Sequence, residues 1–240
     1  MNKKIYIYIA YIFAISFLLF SIIYMIGDIN KEKEIVTVNK EINTLVKKQN
    51  YTTKNLYKDE NNIKIDINLP YTNSKNFNEK IEIIKNNYLK LLEVGVNTDT
   101  KYSLIISYDV FEYTEDILSF KINTSIFLGG AHPNSYIDTI VYDFNKDKEI
   151  FLEEILDNTL EEISNICKEK IIKENLLKDY YIESMLKDGL KPVNKNFKRF
   201  AIEKKCIIFF FEKYQIAPYA AGEFSITLDK NMVKFNEKNL

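Results

Sequence analysis

The chain has one imidazole and two thiols with which to do chemistry: His132, Cys167 and Cys206. Zinc sites built on a histidine pair, on four cysteines or on two of each need more soft ligands than these. A Ser-His-Asp or Cys-His arrangement would have to recruit His132, yet there is no G-x-S-x-G turn and both cysteines fall inside regular elements. Paired carboxylates at Glu153-Glu154 and Glu161-Glu162 are adjacent on helical stretches, so they point apart rather than at a shared proton. Gly129-Gly130 lacks the Gly-Lys-Ser/Thr tail and the following helix of a phosphate loop. The 33 Lys+Arg against 34 Asp+Glu give a formal net charge of −1, with no basic excess for nucleic acid. Neither a cofactor nor a metal is expected.

Two stretches have a composition unlike plain connectors. GGAHPNSY, residues 129–136, sets two glycines, a histidine and a proline between strands, which requires a tightly shaped loop. YQIAPYAAGEFSITL, residues 214–228, places small residues and one proline around Tyr219, so its backbone can approach another surface closely. The candidate ligand-binding residues are therefore Gly129, Gly130, Ala131, His132, Pro133, Asn134, Tyr214, Pro218 and Tyr219. An alternative in which these loops only shape the fold is left open.

The elements that must position these loops begin after an apolar segment. Residues 5–26 contain no charged side chain over 22 positions, which as a helix spans roughly 33 Å, close to the hydrocarbon thickness of a bilayer. Lys3 and Lys4 precede the run and Asp28 follows it, so the positive-inside rule keeps only Met1 to Lys4 in the cytoplasm. The reading is a cytoplasmic stub and transmembrane anchor over 1–28, with the rest outside the cell. A cleaved signal peptide is the competing reading. Its apolar region is usually about 7–15 residues long, and Met25-Ile26-Gly27 offers no small-x-small cleavage site.

Residues 29–60 are polar and alternately charged and read as a stalk or linker, with at most one short helix or edge strand. IKIDINL from Ile63 alternates as a half-buried strand. Phe77, Ile81, Ile84, Tyr88 and Leu91 recur at steps of four and three, forming one apolar helical face that Gly95 is placed to end. Two β-rich runs, YSLIISYDVFEY and ILSFKINTSIF, predict a long hairpin, and YIDTIVYDF a further strand. Helices are expected from Asn158, with Glu161 as a capping box, to about 175, and over 178–188, ended by Gly189 and Pro192. Strand-rich segments follow. Strands interleaved with a few helices, without regular βαβ alternation, predict an α+β module of mostly antiparallel sheets.

Cys167 and Cys206, 39 residues apart, lie in the exported part, where one disulfide can persist. The other reading makes both buried small hydrophobes: Cys167 falls on a helical apolar stripe and Cys206 in the strand-like CIIFFF.

The GGAH-type loop at 129–132 and the YQIAPYAAG segment at 214–222 resemble the RsiV-like extracytoplasmic domain. That domain is shared by the lysozyme-sensing anti-sigma factor RsiV and the N-terminal part of the peptidoglycan deacetylase PdaC. The resemblance runs from about Ile63 to Leu228 and implies a two-part module: a smaller α+β subdomain over 61–127 and a C-terminal one over 128–240. It departs from an anti-sigma factor, because only four residues precede the apolar run. It departs from a deacetylase, whose metal-binding Asp and two His exceed the single histidine. What the resemblance implies is a non-enzymatic, single-pass binding or sensor module of a Gram-positive envelope, with lysozyme or a cell-wall component as ligand. The alternatives are a peptidoglycan-acting enzyme using His132 with Asp138, and a structural part of an envelope or sporulation assembly.

Overall fold

The last ten residues of the segment read as a stalk, where one short edge strand was allowed for, form the first strand and the edge of the large sheet. The computed structural model describes residues 51–93 and 100–238, and it opens with β1 (Tyr51–Glu60) paired antiparallel to β2 (Ile63–Thr72) along the whole length of both. Asn61 and Asn62 close this hairpin with φ of 53° and 61°. Two consecutive left-handed residues make the turn whose twist matches paired strands, and asparagine tolerates that conformation best after glycine. The expected stub and span over 1–28, the stalk up to residue 50 and the helix stop at Gly95 lie outside the described residues. Among the described residues no helix is long and apolar enough to cross a membrane.

After β2 the chain crosses over through α1 (Lys75–Glu93) to β3 (Tyr102–Glu112), which lies parallel to β2. Among the described residues this is the one βαβ unit in an otherwise antiparallel sheet. Ser74 starts α1 by accepting a hydrogen bond from the N–H of Phe77 at 3.0 Å. Phe77 and Ile81 are fully buried, but the last core position falls to Leu92 (5% exposed) rather than Leu91 (40%). The helical period of 3.6 drifts off a strict four-three count, and after four turns the buried position moves by one residue.

The expected hairpin forms as β3 with β4 (Ile117–Phe127), and β5 (Asn134–Asp143) continues the sheet. The short β6 (Lys148–Glu149) completes six strands in the order β1-β2-β3-β4-β5-β6. β5 pairs with β4 over ten residues, from Ile117 opposite Asp143 to Ile126 opposite Asn134. The expected boundary between residues 127 and 128 therefore cuts through a continuous ladder of backbone hydrogen bonds, and Asn50–Leu240 form one compact unit.

Alternation along β5 explains the layers. Ile140 and Tyr142 face the core beneath α1, with Leu104, Ile106, Phe120 and Ile122. Ile137 and Val141 point the other way, to cores shared with a second sheet, β7 (Phe200–Glu203), β8 (Cys206–Phe211) and β9 (Phe224–Asp229), in that order. β7 is the edge of that sheet. Its outward backbone groups are satisfied by side chains of the large sheet: the N–H of Ile202 donates to Ser119 Oγ (2.9 Å) and that of Phe200 to Thr139 Oγ1 (3.1 Å).

Between β6 and β7 along the chain come α2 (Leu152–Ile155), α3 (Leu160–Lys173), α4 (Glu183–Gly189) and α5 (Asn194–Phe197). The capping box of α3 sits one residue later than expected, on Thr159 and Glu162. Asn158 is unavailable as the cap because its Oδ1 accepts the N–H of Lys234 at 2.6 Å. The helix expected over 178–188 splits into a 3-10 turn at Lys178–Tyr180 and α4.

Candidate functional site

The loop before β5 owes its path to glycine. Gly129 and Gly130 have φ of 87° and 110°, a region open to a residue without Cβ. The chain then presents His132, whose Nδ1 lies 3.1 Å from the carbonyl of Pro133. Donation to that carbonyl puts the proton on Nδ1 and leaves Nε2 as an acceptor.

The second segment leaves β8 and is anchored on the helices before it turns outward. Gln215 Nε2 donates to the carbonyls of Asn196 (3.0 Å) and Gly189 (3.3 Å), and its Oε1 accepts the N–H of Glu212 (3.3 Å). Ile216 and Ala217 are buried in the second core. Pro218 leads into the 3-10 turn Tyr219–Ala221, whose last N–H returns to the Pro218 carbonyl at 2.9 Å. Gly222 follows with φ of 76° and feeds β9.

The two loops meet through their rings. His132 stacks on Tyr219 with centroids 4.4 Å apart and planes 27° from parallel, and Tyr214 lies 5.5 Å from Tyr219. Lys213 Nζ sits 4.6 Å from the Tyr219 centroid and donates to Tyr219 Oη (3.4 Å) and to Ser135 Oγ of β5 (3.1 Å). Of the candidates, then, the structure joins His132, Tyr214 and Tyr219. Gly129, Gly130 and Pro218 set the backbone path of their loops. Ala131 and Pro133 are exposed, and Asn134 is the first residue of β5.

Tyr214 is the odd member. It has φ of 66° and is 62% exposed. A tyrosine in the left-handed region is strained by about 1–2 kcal/mol, and burial does not compensate a ring that stays in water. Strain held at an exposed aromatic is a mark of a functional surface.

Arg199 and Lys213 were not anticipated. Arg199, the sole arginine of the chain, pairs through Nη2 with Glu212 Oε2 at 2.5 Å, and its Nε donates to the Ile137 carbonyl at 2.7 Å. The N–H of Ile137 returns to Glu212 Oε1 at 3.2 Å. This ring of bonds fixes the exit of β8 against β5, and so fixes one loop against the other. A single arginine among 33 cationic residues was the available signal, since its planar fork presents separate donors to a carboxylate and a carbonyl in fixed geometry.

Asp138, the expected partner of His132 in catalysis, instead accepts the hydroxyl proton of Tyr88 at 2.7 Å on the face covered by α1. Burial first, and the Asp138 carboxylate second, push the Tyr88 hydroxyl well above its usual range. No hydrogen bond or ion pair joins His132 to Asp138 among the described residues. Cys167 and Cys206 are both free. Cys167 lies on the buried stripe of α3, where desolvation pushes its thiol up to about 12, and Cys206 on β8 donates to Glu203 at 3.7 Å. Each thiol is held in its own element, so the structure corrects the disulfide reading. Among the described residues no group of three or more His, Cys, Asp or Glu is gathered for a metal. A cavity of about 440 Å³ lined by Phe151, Leu160, Ile163, Phe197, Phe200 and Lys198 includes none of the candidate residues.

Residues 148–231 match the family described as a protein of unknown function, DUF3298. The match covers this segment alone. It spans β6 to β9 and contains the Tyr214–Gly222 loop, whereas the His132 loop lies ahead of it. Over 142 residues the chain is 29% identical to the peptidoglycan-N-acetylmuramic acid deacetylase PdaC of Bacillus subtilis, a match over 58% of this chain and 30% of that protein. Two crystal structures share this fold, each match covering 79% of this chain and 94% of the other. One is a DUF3298 member from Bacteroides fragilis (TM-score 0.52, 17% identity), the other from Pseudomonas aeruginosa (TM-score 0.56, 13% identity).

Proposed function

We propose that the protein is a membrane-anchored, extracytoplasmic binding or sensor module of a Gram-positive cell envelope. It is non-enzymatic and captures lysozyme or another cell-wall-related ligand at the surface formed by His132, Tyr214 and Tyr219. The observation that carries this is the strained, exposed Tyr214 beside two further rings from separate loops. Aromatic rings with one free face and a polar tip are the side chains that supply most binding energy at recognition surfaces. The uncharged run over 5–26 supports the anchor, with the N-terminus inside. The engagement of His132 with a neighbouring carbonyl, and of Asp138 with Tyr88, supports binding rather than acid–base chemistry. The partial match to a protein that acts on peptidoglycan supports a wall-related ligand.

The test is a binding titration of the purified full chain against lysozyme and against purified cell wall. Wild type is expected to bind at least one of them, and Tyr214→Ala to lose binding while its unfolding midpoint is unchanged. Absence of binding to either at tens of micromolar protein would sink the proposal.

A further inference from the structure

Resting on that reading, we infer that the ligand at the two-loop surface is a carboxylate-bearing pyranose, with the sugar ring on the aromatic face and the carboxylate at Lys213. Two observations point the same way.

The first is the division of labour among the rings. Tyr219 is half-buried, touching His132, Tyr214 and Lys213, so it orders the others. His132 and Tyr214 are exposed and form the outer surface. An unpaired, exposed tyrosine face offers apolar area without a hydrogen-bonding plane. A pyranose has the matching form: one face of C–H groups about the size of a phenol ring, with hydroxyls around its edge. His132 Nε2, left as an acceptor, suits such a hydroxyl.

The second is an uncompensated cation. Lys213 Nζ donates to two hydroxyls, of Ser135 and Tyr219, and pairs with no carboxylate among the described residues. Glu212, its sequence neighbour, is committed to Arg199 and to the N–H of Ile137. Glu223, in the same loop region, pairs with Lys121 at 3.7 Å. A half-buried ammonium held over an aromatic ring with a donor to spare is a site for an anion, and a charged acceptor there is bound more strongly than a neutral one. A neutral sugar would use the ring and leave this cation unanswered.

The probes are N-acetylmuramic acid, whose lactyl group carries a carboxylate, and N-acetylglucosamine, which lacks it. Both are titrated into the purified full chain by nuclear magnetic resonance or calorimetry. The acidic sugar is expected to bind at least tenfold more tightly. Lys213→Met keeps the aliphatic stem against Tyr219 and should collapse that preference, leaving the two sugars within about twofold of each other. Tyr214→Ala should weaken both sugars alike. Equal binding of the two sugars by wild type, or an undiminished preference in Lys213→Met, would overturn the inference. So would binding of lysozyme with no response to either sugar, although that result leaves the binding-module reading standing. Failure of lysozyme, cell wall and both sugars together would remove both.

Discussion

Replacing Gly189 by alanine separates what a helix wants from what the fold allows. In an isolated helix the exchange is favourable by about 1 kcal/mol, because glycine pays more backbone entropy. In this structure a Cβ at Gly189 would lie 1.9 Å from the carbonyl oxygen and 2.6 Å from the carbonyl carbon of Gln215, and 2.8 Å from Ile216 Cγ2. Backbone must retreat by roughly 1.5 Å to restore ordinary contact. Overpacking of this kind costs about 1–3 kcal/mol. The same shift stretches the Gln215 bonds to Gly189 and Asn196, already 3.3 and 3.0 Å, at about 1 kcal/mol each. The net expectation for Gly189→Ala is a loss of about 2–4 kcal/mol. With a urea dependence of about 2–3 kcal/mol per molar, the unfolding midpoint should fall by about 1 M. The Tyr214 and Tyr219 resonances should move as well, because their segment is the part displaced. An unchanged or raised midpoint would show that the loop is not seated on the backbone of α4, and the account of how the site is positioned would fail.

Arg199→Lys should lower stability by about 2–3 kcal/mol, since one compact ammonium does not reproduce the two separated donors, Nη2 and Nε, that reach Glu212 and the Ile137 carbonyl, and the half-buried carboxylate is left short of donors; a urea midpoint equal to that of wild type would refute this. Both cysteines should resist a thiol reagent at neutral pH in the folded protein and react fully after denaturation, because burial pushes Cys167 up to about 12 and Cys206 up to about 11; a native mass lower by two hydrogens would reveal a bridge instead. Stability should hold up to pH 10 and decline above it. Burial raises the hydroxyls of Tyr51, Tyr71, Tyr88 and Tyr142 above their ordinary 10.0, so the fold favours their neutral form, and that contribution is lost as pH rises past the unfolded value. An ultraviolet titration in which every tyrosine ionises near 10 with the fold intact would contradict it.

What was legible in the sequence was local. The Phe77-Ile81 stripe of α1, the β3–β4 hairpin, the helix around Ile163 and Cys167, and the unusual composition of the two loops all follow from side-chain periods of two and 3.6 and from turn chemistry, which need no knowledge of distant residues. Even there the boundaries moved by one residue where a tertiary partner intervened: Lys234 took Asn158 from its capping role, and Leu92 displaced Leu91 from the core. The strand β1 was allowed for only as a short edge strand of a linker because nearly all of its residues are exposed, although Asn61-Asn62 carried the turn that closes it. The β4–β5 ladder that runs across the 127/128 division was not legible, because strand pairing is a bond between separated segments and nothing in the loop before β5 says which neighbour that strand will choose.

The candidate site has the same character. Composition singled out His132, Tyr214 and Tyr219 but left them in loops about 80 residues apart. Their meeting depends on β7 lying across the large sheet through Ser119 and Thr139, and on one arginine locking Glu212 to Ile137. Only that packing brings His132 onto Tyr219 and Ser135 to Lys213, because these contacts join neighbours in space rather than in sequence.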